Sequence, residues 1–301
     1  MGKKILTIIL LSAVLVAVFY YSAGILYAQD SYKVNNGVQQ TIDKHTVCKK
    51  VNNTSGKDVF VPVKTATEWA EFRIHAPSNI SGLSLLACWA CGDNVTFTYK
   101  GSSVTYGTVS SQGKCWLDRN LGASQKATAY SDSLAYGDLF QWGRLDDGHQ
   151  TRTSGTTATL STTNTPGHSK FIYGMGSPYD WRSPQSNTLW QGVSGTNNPC
   201  PTGWRIPTKA EWETEHLSWS QQNYLGAFAS LLKLPSGGAR SLANAVNFNV
   251  GSQGYYWSSN IDSTKAFYLH FHGDDQWPGI PDAVMKSFHR AYGHSVRCIQ
   301  N

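Results

Sequence analysis

His270 and His272 lie two residues apart, His289 and His294 follow in the same stretch, and Asp274, Asp275 and Asp282 stand among them. Imidazole and carboxylate groups are zinc ligands, and imidazole changes charge near neutral pH. The spacing is not tight enough for a metal centre, and no metal or other cofactor is expected. With Gln276, Trp277, Met285, Lys286 and Tyr292, these residues read instead as polar and aromatic contacts of a ligand-binding face. Adaptable polar groups beside rigid rings are the chemistry of paratopes, and pH sensitivity would be a side effect of the histidines.

Other chemistries find less support. Asp146-Asp147 and Asp274-Asp275 read as ordinary loop acids, because the tripeptides that bind sugars through calcium (Glu-Pro-Asn, Gln-Pro-Asp, Trp-Asn-Asp) do not occur. No Gly-x-Ser-x-Gly elbow or His-Glu-x-x-His helix occurs either, so no catalytic residue is assigned and a non-enzymatic protein is expected. The cysteines Cys48, Cys88, Cys91, Cys115, Cys200 and Cys298 are even in number and allow 15 pairings. Cys88-Trp89-Ala90-Cys91 is a CxxC, but it has no second CxxC and no βαβ context. It reads as two half-cystines of separate bridges at a domain junction.

Lys3 and Lys4 precede an apolar run from Ile5 to Ala28. That run exceeds the 7–15 residues usual in a cleaved signal and suits the roughly 20 needed to span a bilayer. Ser22-Ala23-Gly24 and Leu26-Tyr27-Ala28 nevertheless offer small residues for cleavage, so anchor and signal peptide both stand, and either exports the chain. Residues 29–90 read as a stalk, with a strand over Asp58–Lys64 and a helix-like piece around Thr67–His75. Val95–Tyr99 and Val104–Val109 alternate about Lys100–Ser103 as a hairpin. Thr151–Gly167 shows no period, and loops this long are usually functional or disordered.

Thr208 and Glu211 form a capping box that starts a helix, and a second helix is expected over Gln221–Leu232 before Pro235-Ser236-Gly237-Gly238. Gly254–Ser258 reads as a strand. Along Ala266–His272, Ala266, Tyr268, His270 and His272 face one way, while Phe267, Leu269 and Phe271 face the other. Ser295–Ile299 reads as a last strand.

Only 15% of the 301 residues are charged against 40% hydrophobic, which excludes a solvated disordered chain. The 25 basic residues outnumber the 19 acidic ones without forming a stripe, so nucleic acid is not an expected partner. The 11 tryptophans then need a place. Trp116, Trp142, Trp204, Trp212 and Trp257 read as core, and Trp181, Trp190 and Trp277 as exposed contacts.

Six segments occur in order: Cys91-Gly92-Asp93, Gly113–Leu121 (GKCWLDRNL), Tyr136–Gly143 (YGDLFQWG), Cys200–Pro207 (CPTGWRIP) with Glu211-Trp212, Gly254–Ser259 (GYYWSS) and Ser295–Cys298 (SVRC). Over residues 91–301 they resemble the FISUMP, or major paralogous, domain of bacterial surface proteins. That family is related to the C-type lectin and formylglycine-generating-enzyme folds.

The resemblance implies an α+β, C-type-lectin-like domain with long loops, a Cys200–Cys298 bridge, and Cys91–Cys115 and Cys48–Cys88 as the remaining pairs. It implies a cell-surface binding protein for a protein or other surface ligand. A carbohydrate-binding adhesin and a cryptic formylglycine-generating-enzyme-like or hydrolytic enzyme are the alternatives. Relatives of this type include proteins whose C-terminal stretch is rewritten by diversity-generating retroelements, and residues 270–294 fit that in composition.

Overall fold

The computed structural model describes residues 91–174, 176–273 and 282–301, together with the backbone of short strands before residue 90. Contacts divide the chain into residues 1–93 and 94–301.

In the first unit, Asp58–Lys64 is a strand as expected, paired antiparallel with Trp69–His75. The helix-like reading around Thr67–His75 is therefore corrected. Ala70, Phe72 and Ile74 alternate with Glu71, Arg73 and His75, which is a period of two. Ile5–Ile8 runs parallel to the same strand, and the rest of residues 1–28 lies outside the described residues. Val47–Asn52 pairs antiparallel with Ser84–Trp89, placing Cys48 opposite Cys88 in register. Among the described residues, no helix is long and apolar enough to cross a membrane.

The second unit is a set of small sheets with two helices, an α+β arrangement rich in strand. β1 (Val95–Tyr99) and β2 (Ser102–Tyr106) pair about Lys100-Gly101, both at positive φ, 50° and 76°. Two such residues make the tight turn whose twist matches a hairpin, so the loop is shorter than the expected four residues. The expected strand to Val109 is interrupted at Gly107, where a β-carbon would lie 2.6 Å from Asp118 Oδ2. β3 (Thr108–Ser111) resumes and pairs with β4 (Lys114–Leu117).

The elements that follow are short: β5 (Phe140–Gln141), β6 (Thr156–Thr157), β7 (Phe171–Ile172) and β8 (Trp204–Arg205). β6 and β7 pair in parallel, which pins the aperiodic Thr151–Gly167 stretch.

α1 (Lys209–Leu217) starts on the expected box, with Thr208 accepting from the Glu211 amide and Glu211 from the Thr208 amide. α2 is only Tyr224–Ala229, shorter than expected, because Asn223 caps the amides of Leu225 and Gly226. Gly226 is needed there: its β-carbon would fall 1.8 Å from the Gln221 carbonyl.

β9 (Ala239–Arg240), β10 (Asn247–Phe248), β11 (Gly254–Asp262), β12 (Lys265–Phe271), β13 (Ala283–His289), β14 (Gly293–His294) and β15 (Ile299–Gln300) complete the domain. The sheets run β3-β4-β15-β8, β5-β14-β9-β10 and β11-β12-β13. The expected final strand over Ser295–Ile299 is reduced to β15. Its backbone crosses between sheets instead: Ser295 exchanges bonds with Tyr255 and Trp257, the Leu121 amide donates to Val296, and the Leu117 amide donates to Cys298.

Trp116, Trp212, Trp219, Leu232, Leu234, Tyr256, Leu269, Phe271 and Ile299 form the core beneath β11–β12–β13. All five expected core tryptophans are buried. So are Trp181 and Trp190, each 0% exposed, which corrects the expectation that they are surface contacts. Their indole N–H groups explain it: Trp181 Nε1 donates to the Trp142 carbonyl at 2.6 Å and Trp190 Nε1 to Asn197 at 2.8 Å. A buried indole must find such an acceptor, and here each one ties a loop to the framework. Cys200–Cys298 is bridged as the resemblance implied. Cys91 and Cys115 are also disulfide-bonded, and no described cysteine is free.

Candidate ligand-binding face

β12 divides the sheet β11–β12–β13 into two faces. Register sets Tyr255 opposite His270 and Trp257 opposite Tyr268 on β11, and Val284 opposite His270 and Lys286 opposite Tyr268 on β13. These side chains share the face away from the tryptophan core. His294 on β14 closes it from the neighbouring sheet, stacked on Trp257 with centroids 4.1 Å apart and inclined at 54° to Tyr268 at 4.7 Å. Phe248, Tyr292 and Phe288 continue the rings outward, with Phe248–Tyr292 at 6.2 Å and Phe288–Tyr292 at 4.8 Å. Exposure rises along that path: His294 and His270 are buried at 1% and 3%, Tyr292 is half-buried, and Phe288 is 37% exposed.

A polar chain runs through the rings. Gln253 Oε1 accepts from the Tyr255 hydroxyl and from His270 Nε2 at 3.0 Å, while Asn249 Nδ2 donates to the Tyr255 hydroxyl at 2.8 Å. Lys286 Nζ donates to His270 Nδ1 at 3.1 Å. Burial and then the adjacent Lys286 and His272 push His270 down to about 3, and burial with His270 nearby drives His294 well below the usual histidine range. The imidazoles are therefore neutral rings at pH 7. Burial raises Tyr255 to about 12 and lifts Tyr268 as well, with the Tyr255 and Tyr292 phenols opposing ionisation of Tyr268. Burial also lowers the Lys286 ammonium.

The expected contact residues are thus sorted. His270, Lys286, Tyr292 and His294 come together on one face. His270, His272 and His294 lie beneath the surface, not on it, so they support the face instead of presenting imidazole to a ligand. His272 sits at the strand end, its amide bonded to the Asp282 carbonyl at 2.9 Å and its Nδ1 3.5 Å from the Asp282 carboxylate. Met285 points to the opposite face and packs against the tryptophan core, because it is in register with Leu269. His289 stands apart, 4.5 Å from the Tyr179 ring. Asp274, Asp275, Gln276 and Trp277 lie outside the described residues.

Sequence reasoning missed Tyr255, Tyr268, Gln253, Asn249, Phe248 and Phe288 as parts of this face. Tyr268 was already in the alternation with His270. Tyr255 belongs to a motif read as scaffold, and only strand register reveals that Tyr255 and Tyr256 part company at the sheet. Among the described residues, no group of three His, Cys, Asp or Glu side chains could hold a metal ion.

Two open depressions lie elsewhere. One of about 460 Å³ is lined by Leu145, residues 193–195, Asn197, Asn198 and residues 200–203, and one of about 310 Å³ by Asp138, Arg152 and Leu134 with small residues. The first presents no charged side chain. In the second, Asp138 is bonded to Tyr99 and Lys100, and Arg152 donates to the carbonyls of Gly137 and Gly237. The ring-lined face carries the more available chemistry.

No protein-family profile matches this chain, and neither a curated protein nor a solved structure does.

Proposed function

We propose that this protein is an exported cell-surface binding protein. Its C-terminal unit would be a FISUMP-type, C-type-lectin-like domain that recognises a protein or other surface ligand through the ring-lined face of β11–β12–β13. The observation that carries the reading is the gradient of that face: neutral imidazole and tyrosine rings at its base rise to the half-buried Lys286 and Tyr292 and the exposed Phe288. Rigid rings over a fixed polar network present a preorganised surface, which limits the entropy lost on binding. The disulfides fit an oxidising environment, as an exported chain meets. In sequence, Asp274, Asp275, Gln276 and Trp277 fall between β12 and β13, outside the described residues. A retroelement that rewrote residues 270–294 would alter this rim while Trp257, Tyr256 and Cys298 kept the scaffold.

The test is a screen of the exported chain against arrays of surface proteins and glycans, repeated with Phe288→Ala combined with Tyr292→Ala. The expected outcome is a loss of about tenfold or more in affinity for the ligand found, as when central aromatic contacts are truncated, with thermal stability nearly unchanged. Full retention of binding would remove this face as the site. Diversification is tested separately, by looking beside the gene for a reverse transcriptase and a near-copy of the last codons differing at adenines.

A further inference from the structure

Among the described residues, Lys286 is a cation without a counter-ion: its one polar partner there is His270 Nδ1, a neutral acceptor, and no carboxylate forms an ion pair with it. The ammonium can donate three hydrogen bonds, and the imidazole takes one. Two of its neighbours on the face carry hydroxyl donors with no partner among the described residues. Tyr268, directly opposite Lys286 in register, is only 7% exposed, yet its hydroxyl is neither bonded to a described residue nor sealed from solvent. Directly opposed residues of an antiparallel pair bring their β-carbons to within about 5.5 Å. The Tyr292 hydroxyl likewise has no partner among the described residues, and it is near enough to oppose ionisation of Tyr268. His270 is oriented so that its N–H points to Gln253 and its lone pair to Lys286. This fixes the ammonium in place without adding or cancelling charge.

We propose that Lys286, with the hydroxyls of Tyr268 and Tyr292, forms a carboxylate-binding subsite on this face, and that the carboxylate belongs to an acidic sugar of the uronate class. Tyr268 opposes Lys286 in register and Tyr292 lies near Tyr268, and an ammonium sharing a face with phenolic donors suits a monoanion with two acceptor oxygens, to which charge-assisted bonds are the short, strong ones. The sugar follows from the surroundings. The partly exposed rings of Phe288 and Tyr292, inclined at 46° with centroids 4.8 Å apart, offer apolar surface to the C–H face of a pyranose. Acidic peptide is the competing source of a carboxylate, but an Asp or Glu side chain by itself presents no flat C–H face to these rings.

The inference rests on reading this face as the ligand surface, and the measurements separate the two. The full exported chain is titrated with glucuronate, with glucose, and with N-acetyl-glutamate, followed by ligand-observed NMR, and compared with Lys286→Met, Lys286→Arg, Tyr268→Phe and Phe288→Ala. Glucuronate should bind and glucose should not. Lys286→Met should weaken glucuronate by about tenfold or more, the factor expected for losing a charged hydrogen bond. Lys286→Arg should retain most of the binding, and Tyr268→Phe should fall between. Unchanged thermal unfolding of Lys286→Met shows that loss of binding is not loss of fold. If Lys286→Met binds glucuronate as the wild type does, the subsite is wrong. If N-acetyl-glutamate binds and glucuronate does not, the sugar is wrong. If an array ligand is lost in Phe288→Ala but is indifferent to Lys286→Met and to glucuronate, only this inference fails. Indifference to both substitutions removes the face itself.

Discussion

His270 holds its proton on Nε2, because Gln253 Oε1 can only accept and Lys286 can only donate. That tautomer makes the ring an acceptor for an ammonium, and charging it would place two cations 3.1 Å apart. His149 and His294 share the preference for neutrality, as does the less buried His289. Burial, with Arg144 nearby, pushes His149 down to about 3, and burial pushes His294 well below the usual range. For each of the three most buried, the unfolded chain binds a proton near pH 6.5 that the folded chain refuses. Stability is therefore present in full above pH 6.5 and falls as the pH drops below it, by up to about 1.4 kcal/mol per pH unit per histidine. Asp180 acts the other way. Burial raises it to about 6 against the pull of Arg290, so the folded chain takes up a proton there as the pH falls from 6 towards 4. Asp147 and Glu211 are both held at about 2. Burial would raise them, but His149 with Arg144 outweighs it for the first and Arg205 with Thr208 for the second, so neither contributes above pH 4.5. Four histidines held down, with His289 lowered by burial as well, against two aspartates raised by burial, Asp180 and Asp146, predict a urea midpoint that declines between pH 7 and pH 5. His270→Gln should flatten that decline, and a midpoint constant over the interval in the wild type would show that these rings are not held neutral.

At the scale of elements, local signals were legible and tertiary ones were not. The capping box of Thr208 and Glu211 and the alternation along β12 depend on neighbours in sequence and form where the pattern puts them, while the hairpin forms with its turn tightened to Lys100-Gly101. The length of α2 was not legible. It depends on the Asn223 cap and on the Tyr224 amide reaching the His272 carbonyl 48 positions away in the chain. Trp181 and Trp190 were misread because nothing local marks the carbonyls that receive their indoles. The face itself was half legible: alternation groups Tyr268 with His270, but the burial of that pair comes from β14, which crosses to stack His294 on Trp257. The crossing is anchored by Arg297, 1% exposed, which donates to Asn120 and to the carbonyls of Leu117 and Leu232. One residue further on, the Cys200–Cys298 bridge ties the entrance of β8 to the same segment across a separation of 98 residues. Replacing both cysteines by serine should lower unfolding stability by about 2–5 kcal/mol, the usual cost of losing a native bridge of this kind. The accompanying loss of ligand binding should be small at temperatures where the variant remains folded, since neither sulfur lies on the ring-lined face. A larger loss of binding than of stability would mean that the bridge positions the face directly.

At the scale of the whole molecule, the aromatic wealth of a chain with only 15% charge acquires a purpose. Small sheets of two to four strands cannot bury much surface alone, so the tryptophans serve as both filler and fastener: each of Trp142, Trp181, Trp190, Trp212 and Trp257 donates its indole N–H to a backbone carbonyl elsewhere. All of these fastenings, the core under β11–β12–β13 and the ring-lined face are built from residues beyond 94, within one of the two compact units. That unit has its own core, which is the condition for folding alone. A chain starting at Cys91 retains the four described half-cystines Cys91, Cys115, Cys200 and Cys298. Secreted into an oxidising compartment, it should show the near-ultraviolet circular dichroism of the full chain and unfold within about 2 °C of it, a difference below 1 kcal/mol for a unit of this size. Its affinity for glucuronate should equal that of the full chain, because Lys286, Tyr268 and Tyr292 are all present. Made in a reducing compartment, the same chain should lose stability by at least the amount predicted for the Cys200–Cys298 pair. A shortened chain that folds but no longer binds would show that residues 1–90 contribute to recognition, and one that does not fold would show that the core described here is insufficient.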